Sequence, residues 1–254
     1  IACLAQGEVP REVLLLARIQ QKMREQLARM PDYTCLETIE RSTRLSFSRP
    51  YQVADTVRLE VAHVGARELY ARPGGQKFEE SDLANLIGTG MTASGDFALH
   101  LKAVFDSGIP VFNYQGEEEL DGRRTVRYHY RVPLNLSGYR LRIGRQRGIV
   151  AFSGSFWADP ETLEVVRLEV RAEEIPPNLP VLSAVTVIDY GKVRIGDSEV
   201  MLPRRAELEM TEYIGRQSLN RTEFTNCRQY VGESVVLFVD SKVTYEPPPE
   251  KKKK

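Results

Sequence analysis

The sequence predicts an α+β fold: a curled antiparallel β-sheet, an unclosed β-barrel of about ten strands, covered by an N-terminal helix and a helical insertion. Three observations lead there. Segments of alternating polarity recur roughly every 8–15 residues and are joined by hairpin turns. Helical periodicity is confined to the start of the chain and to one segment between early strands. An open sheet of this many strands twists and curls, which leaves an apolar concave side that only those helical segments can cover.

The opening helix spans Glu8 to Met30. Val9, Val13, Leu16, Met23, Leu27 and Met30 recur at three- and four-residue intervals. Pro10 is expected in the first turn, where a missing N–H costs nothing, and Pro31 ends the helix. Strands follow over Tyr33–Phe47, Thr56–Val64 and Arg67–Ala71, before the break at Pro73-Gly74-Gly75. The long interruption, Phe78 to Phe105, holds a short helix over Ser81–Ile87. A second helix begins at Ser94 or Asp96, with Phe97, Leu101, Val104 and Phe105 as its stripe.

From Ile109 onward the pattern is nearly all β. Ile109–Glu118 pairs through Asp121-Gly122 with Arg123–Val132, and Tyr139–Ile143 follows. Val150 to Ala172 is the hairpin around which the sheet is organised. Phe152, Phe156, Leu168 and Val170 lie on its dry parity, and Arg167, Glu169 and Arg171 on its wet one. Asp159-Pro160 sets its turn, because Pro presets φ and Asp accepts a local backbone bond. Val181–Tyr190, a tight turn within Gly191–Val200, a hairpin of Arg204–Tyr213 with Ser218–Val231, and a last strand at Ser234–Val239 complete the sheet. The expected organisation is a leader remnant at 1–7, one domain over 8–240 and a disordered Pro/Lys tail at 241–254.

Composition narrows the function classes. The 254 residues carry 35 Lys plus Arg and 35 Asp plus Glu. Zero net charge argues against nucleic acid as the main partner, since phosphate binding wants a basic surplus. No run approaches the ~18–20 apolar residues of a membrane span. Ile1–Gln6 reads as the end of a secretory signal. Ile1-Ala2-Cys3 also fits the end of a lipobox, in which Cys3 is lipidated; an ordinary N-terminus is the third reading. Cys35 and Cys227 remain, one near each end of the domain, either as a disulfide of an oxidising compartment or as two buried thiols. Their spacing fits no zinc motif.

The helix Glu8–Met30, the strand YTCLETIERS, the phrase LYARPGG, and FWADPETLEVVRLEV followed by VTVIDYGKV resemble the periplasmic lipoprotein-carrier and lipoprotein-sorting superfamily. Members of that superfamily fold as an unclosed antiparallel barrel capped by helices. The resemblance covers roughly residues 8–240, and its motifs are structural. It implies a periplasmic or secreted setting, with lipid or lipoprotein cargo.

No catalytic constellation stands out, so an enzyme is not expected, nor a cofactor or a metal. His63, His100 and His129 form no i, i+4 ligand pair and flank no nucleophile. Glu117-Glu118-Glu119 and Glu173-Glu174 read as solvated strand ends. Residues 88–95, GTGMTASG, lack the Lys-Ser/Thr of a P-loop. Ser153-Gly154-Ser155 lies mid-strand and is no nucleophile elbow. Arg123, Arg127, Arg131, Arg140, Arg142, Arg145 and Arg147 are expected on one polar face, solvated or reading an anionic head group. Trp157 is expected on the exposed face or at a sheet edge.

The first expectation is a binding protein that holds an acyl chain or lipoprotein tail against Leu59, Val61, Phe97, Leu101, Phe152, Phe156, Leu168 and Val170, with 74–105 as lid. The alternative is an envelope protein-interaction module with no small-molecule ligand.

Overall fold

A computed structural model of the chain describes residues 9–65, 67–75, 78, 91–93, 99–106, 108, 110–143 and 146–230. Helix α1 spans Arg11–Ala28 and buries Ile19, Met23 and Leu27. Pro10 stands just outside it, as its N-cap, and its carbonyl accepts from the backbone N–H groups of Val13 and Leu14. The expectation of Pro10 inside the first turn is off by one position. Helix α2 covers Leu99–Phe105 and buries His100, Leu101, Val104 and Phe105. The expected helix at 81–87, the strand at 234–239, residues 1–7, the tail at 241–254 and Cys3 lie outside the described residues.

The first three strands, β1 (Tyr33–Arg44), β2 (Gln52–Val64) and β3 (Arg67–Ala71), form a meander. A small sheet of β4 (Met91–Ala93), β7 (Arg140–Ile143) and β8 (Gln146–Ile149) stands apart, in the order β4-β7-β8. The remaining strands are β5 (Val111–Leu120), β6 (Arg123–Val132), β9 (Ala151–Ala158), β10 (Val165–Glu173), β11 (Val181–Ile195), β12 (Ser198–Glu212) and β13 (Gln217–Gln229). With β1–β3 they make one ten-stranded sheet, ordered β3-β2-β1-β13-β12-β11-β10-β9-β6-β5, with every pairing antiparallel. It does not close: β3 and β5 are its two edges.

Turn chemistry explains the hairpins. Asp121 and Gly122 both adopt positive φ, 51° and 75°, as a two-residue turn matched to strand twist requires. At the β9–β10 turn the Asp159 carboxylate accepts from the backbone N–H groups of Glu161 (2.8 Å) and Thr162 (3.0 Å). The turn closes with Leu163 left-handed at φ 63°, which no residue type in the segment announces. Two boundaries differ from expectation. β11 and β12 run on to a turn at Gly196, so the segment 191–200 is mostly strand, and β8 adds a strand where QRGI is too short to show a period.

The pairing of β1 with β13 joins the two ends of the described chain. Its register shifts between Thr34 and Leu36, where β13 carries one extra residue and Asn226 takes φ 51°. That bulge sets Cys227 against Cys35, and the two form a disulfide across 192 residues of sequence.

Inside the curl a single hydrophobic cluster combines α1, α2 and one parity of nearly every strand. β9 is buried at all of its positions, which happens only when both faces of a strand are covered.

Candidate functional site

The candidate site is the covered face of the sheet. Residues of one parity point inward on each strand, and neighbouring strands carry that parity in register: Tyr128 is opposite Phe156, and Phe156 is opposite Leu168. Leu59, Val61, Leu101, Phe152, Phe156, Leu168 and Val170 all belong to the one cluster, and none is more than 3 % exposed. Phe97 lies outside the described residues. Aromatic rings form the roof contact. The ring of Phe105 on α2 meets Phe156 edge-on at 5.0 Å and stacks near Phe112 at 6.2 Å. Tyr128 stacks on Phe156 at 5.3 Å, and its hydroxyl donates to the Glu12 carbonyl of α1 at 2.7 Å. Each helix is thereby tied to the sheet by an aromatic side chain as well as by aliphatic packing.

Where α2 passes the small sheet, a cavity of about 180 Å³ opens between Leu99, His100, Ala103, Gly138, Tyr139, Arg140 and Phe152. Its floor is Phe152, one of the residues assigned to cargo from the sequence. His100 packs edge-on against Tyr139 at 4.9 Å and near Phe152 at 6.4 Å. Complete burial pushes its pKa down to about 4, so it is neutral at ordinary pH.

A second group of polar residues lies on the same face, near the start of β1. Register places Tyr33 opposite His63 and His63 opposite Glu68. The His63 ring stacks on Tyr33 at 5.6 Å. Burial, then the charge of Lys102, lowers its pKa to about 4 against the opposing pull of Asp32. Glu68 accepts from the Tyr70 hydroxyl at 3.0 Å and from the backbone N–H of Leu99 at 3.3 Å, which anchors the start of α2. Lys102, one turn further on, donates to the Gly65 carbonyl at 3.1 Å. Sequence reasoning missed Glu68. The signal was present: in RELYA it shares the parity of Tyr70, so it had to point inward.

The outer face is a lattice of paired charges. Arg167, Asp189, Arg205 and Glu223 are successive cross-strand neighbours on β10 to β13, of alternating sign. Arg167 bonds Asp189 at 2.5 Å, and Asp121 at the tip of the β5–β6 turn at 3.3 Å. Arg131 pairs with Glu173 at 3.0 Å and Glu174 at 2.8 Å. Burial raises the pKa of Glu173, but hydrogen bonds from Ser153 and Arg131 overcome that and leave it below the usual range. Glu117 pairs with Arg124. These contacts absorb Ser153, Glu117, Glu173 and Glu174, and Arg127 donates to the Ser155 hydroxyl at 3.1 Å.

The arginine cluster does not form one face. Arg127 and Arg131 lie on the outer face of the large sheet, Arg140 and Arg147 belong to the small sheet, Arg142 is a β7 residue, and Arg145 is outside the described residues. Trp157 also corrects its expectation. It stands on the interior strand β9, 8 % exposed, with the Arg127 guanidinium 4.9 Å above its ring and Glu118 bonded to its indole N–H. The parity was right; parity alone does not say that a neighbouring arginine covers the ring. His63, His100 and His129 sit on three different elements. Among the described residues no three His, Cys, Asp or Glu side chains converge to hold a metal ion.

No family model matches the chain, and no curated protein matches it. Solved structures do. The chain is similar to a putative outer membrane lipoprotein-sorting protein domain from Vibrio parahaemolyticus, at 11 % identity and a TM-score of 0.44, over 86 % of this chain and 93 % of that one. It is similar to a DUF1329 family protein from Desulfovibrio piger, at 15 % identity and a TM-score of 0.47, over 89 % and 96 %. It is similar to a LolA superfamily protein from Nitrosomonas europaea, at 13 % identity and a TM-score of 0.43, over 85 % and 93 %.

Proposed function

We propose that residues 8–240 act as one secreted or periplasmic, non-enzymatic binding domain for a hydrophobic ligand, an acyl chain or the lipid-bearing end of a lipoprotein. The observation that carries the reading is the manner in which the apolar face is covered. A ten-stranded sheet stays open, and its inner face is closed by separate helices. α1 is held chiefly by the stripe Ile19, Met23 and Leu27. A cover of this kind can shift without breaking any strand ladder, and an acyl chain can take its place. Each ~100 Å² of apolar area the ligand buries contributes about 2.5 kcal/mol before ordering costs. The Cys35–Cys227 disulfide fits an oxidising compartment. Among the described residues no helix is long and apolar enough to cross a membrane.

Lipid extraction of the purified protein followed by mass spectrometry tests this. A co-purifying lipid, or saturable uptake of a fluorescent fatty acid that Phe152→Trp or Leu168→Glu reduces, is the expected result. A lipid-free protein that also ignores the fluorescent fatty acid overturns it.

One observation favours a second reading. The seven described lining residues pack against one another with almost no exposure. An envelope protein-interaction module without a small-molecule ligand needs only such a filled interior. Crosslinking in the envelope fraction separates the two, since only this reading requires a protein partner on the surface of the lipid-free protein.

A further inference from the structure

The two ends of the sheet differ sharply in chemistry. Antiparallel pairing places the β1–β2 turn (45–51) and the β12–β13 turn (213–216) side by side, because Arg44 is opposite Gln217. The start of β11 joins them: Val181 is opposite Glu212, and Tyr213 donates its backbone N–H to Pro180. Leu45, Phe47, Val53, Leu182, Tyr213 and Ile214 are all exposed at this end, Phe47 at 66 % and Ile214 at 72 %. Five adjacent strands, β2-β1-β13-β12-β11, carry them, so the apolar tips extend over about 19 Å at ~4.8 Å per strand. The connection from β6 to β9 reaches the same end, since Val132 pairs with Phe152, and it adds exposed Leu134, Leu136 and Ile149. Most large apolar side chains exposed among the described residues lie here.

The charge pattern matches. Segments 45–53, 134–136, 146–149 and 213–216 contain no Asp or Glu, and they carry Arg49, Arg147 and Arg216. The carboxylates beside them are engaged: Asp55 by Arg41, Glu173 and Glu174 by Arg131, and Glu212 by Arg216. Arg49 and Arg147 have no carboxylate partner among the described residues. Arg44 lies over the rings of Phe47 (5.4 Å) and Tyr51 (4.3 Å), which holds a guanidinium beside an exposed aromatic. At the opposite end the turns 121–122, 159–164 and 196–197 carry Asp121, Asp159, Glu161, Glu164 and Asp197 and no Lys or Arg. No large apolar side chain is exposed on them.

We propose that this apolar, arginine-bearing rim docks on the surface of an anionic phospholipid bilayer. Separate protruding tips, with aromatic and Arg side chains at their bases, suit the interfacial layer, where apolar tips enter the acyl boundary and guanidinium groups meet phosphates. A protein groove would need a continuous complementary surface, and the rim is a row of turns. The turns at the opposite end carry no exposed large apolar side chain and no Lys or Arg, so the protein stands on the bilayer with its strands upright. This inference is independent of cargo binding, because it concerns the strand ends and not the covered face.

Flotation of the full chain with vesicles tests it. The protein is expected to float with phosphatidylcholine vesicles containing phosphatidylglycerol, and less with phosphatidylcholine alone. Replacing Leu45, Phe47 and Ile214 together by Ser is expected to lower partitioning on the order of tenfold. Arg49→Glu with Arg147→Glu should lower it further and weaken its dependence on salt. A chain ending at Glu250, without the terminal lysines, should float like the full one. Circular dichroism and melting should be unchanged in every variant. No flotation of the full chain, equal flotation of the rim variants, or flotation abolished by removing Lys251–Lys254 overturns the proposal. So does dimerisation in solution that the Leu45, Phe47 and Ile214 substitutions dissolve without any vesicle binding.

Discussion

The hydroxyl of Tyr130 donates to the backbone carbonyl of Glu169 at 2.7 Å, reaching from β6 to β10 across the intervening strand β9. It can do so because Gly154 is opposite Tyr130 and has no side chain. A Cβ there would fall inside the contact sphere of the Glu169 carbonyl and only 3.1 Å from the Tyr130 hydroxyl. Three adjacent strands next to the β5 edge of the sheet are thus fastened by one phenol. Gly154→Ala is expected to destabilise by about 3 kcal/mol, since backbone and not a flexible chain end must give way. Tyr130→Phe should cost about 1–3 kcal/mol by leaving a buried carbonyl without its donor. Urea unfolding midpoints check both, and the double variant should fall short of the sum because the two changes act on one contact.

The disulfide is expected to contribute at most about 5 kcal/mol through the denatured chain, because Cys35 and Cys227 close a loop of 192 residues. Reduction, or Cys35→Ala with Cys227→Ala, should lower the unfolding midpoint and release the end of β13 from β1. Hydrogen exchange should speed up first near Thr34 and Arg228, at the bulge. Exchange that quickens evenly over the whole sheet would contradict the local role.

Two buried histidines make stability fall on the acid side. The pKa of His100 is about 4 in the fold against 6.5 when free, and that of His63 is likewise about 4. Both are lowered by burial, so the unfolded chain takes up protons first. Their full stability is present above pH 6.5 and is lost progressively down to about pH 4. At 1.36 kcal/mol per unit, His100 accounts for about 3 kcal/mol of that loss. His100→Phe should flatten the stability profile between pH 6.5 and 4, while at pH 7 it changes stability little. An unchanged slope in the variant would contradict the assignment.

Trp157 is the single tryptophan, covered by Arg127 and bonded to Glu118. Its fluorescence is expected to be that of a buried indole and to resist iodide quenching. Arg127→Ala should shift the emission to the red and admit quencher, at a stability cost of about 1 kcal/mol. A tryptophan equally open to iodide before and after that change would argue for the exposed setting instead.

Much of the architecture was legible locally. Alternating polarity marked the inward residues Phe152, Phe156, Leu168 and Val170, because a strand shows its two faces with a period of two. Asp121-Gly122 and Asp159-Pro160 announced their turns, because turn geometry is decided within a few residues. The opening helix and the open, curled antiparallel sheet followed from the same short-range signals and from strand number. What lay beyond reach depended on which residues become neighbours across long stretches of chain. The β1–β13 register, the bulge that pairs Cys35 with Cys227, the arginine over Trp157 and the phenol that crosses Gly154 are such cases. So is the contrast between the two ends of the sheet, since no single turn is unusual and only their placement on adjacent strands gathers Leu45, Phe47, Tyr213 and Ile214 into one rim. Parity tells a side chain which way to face; packing alone decides what it meets there.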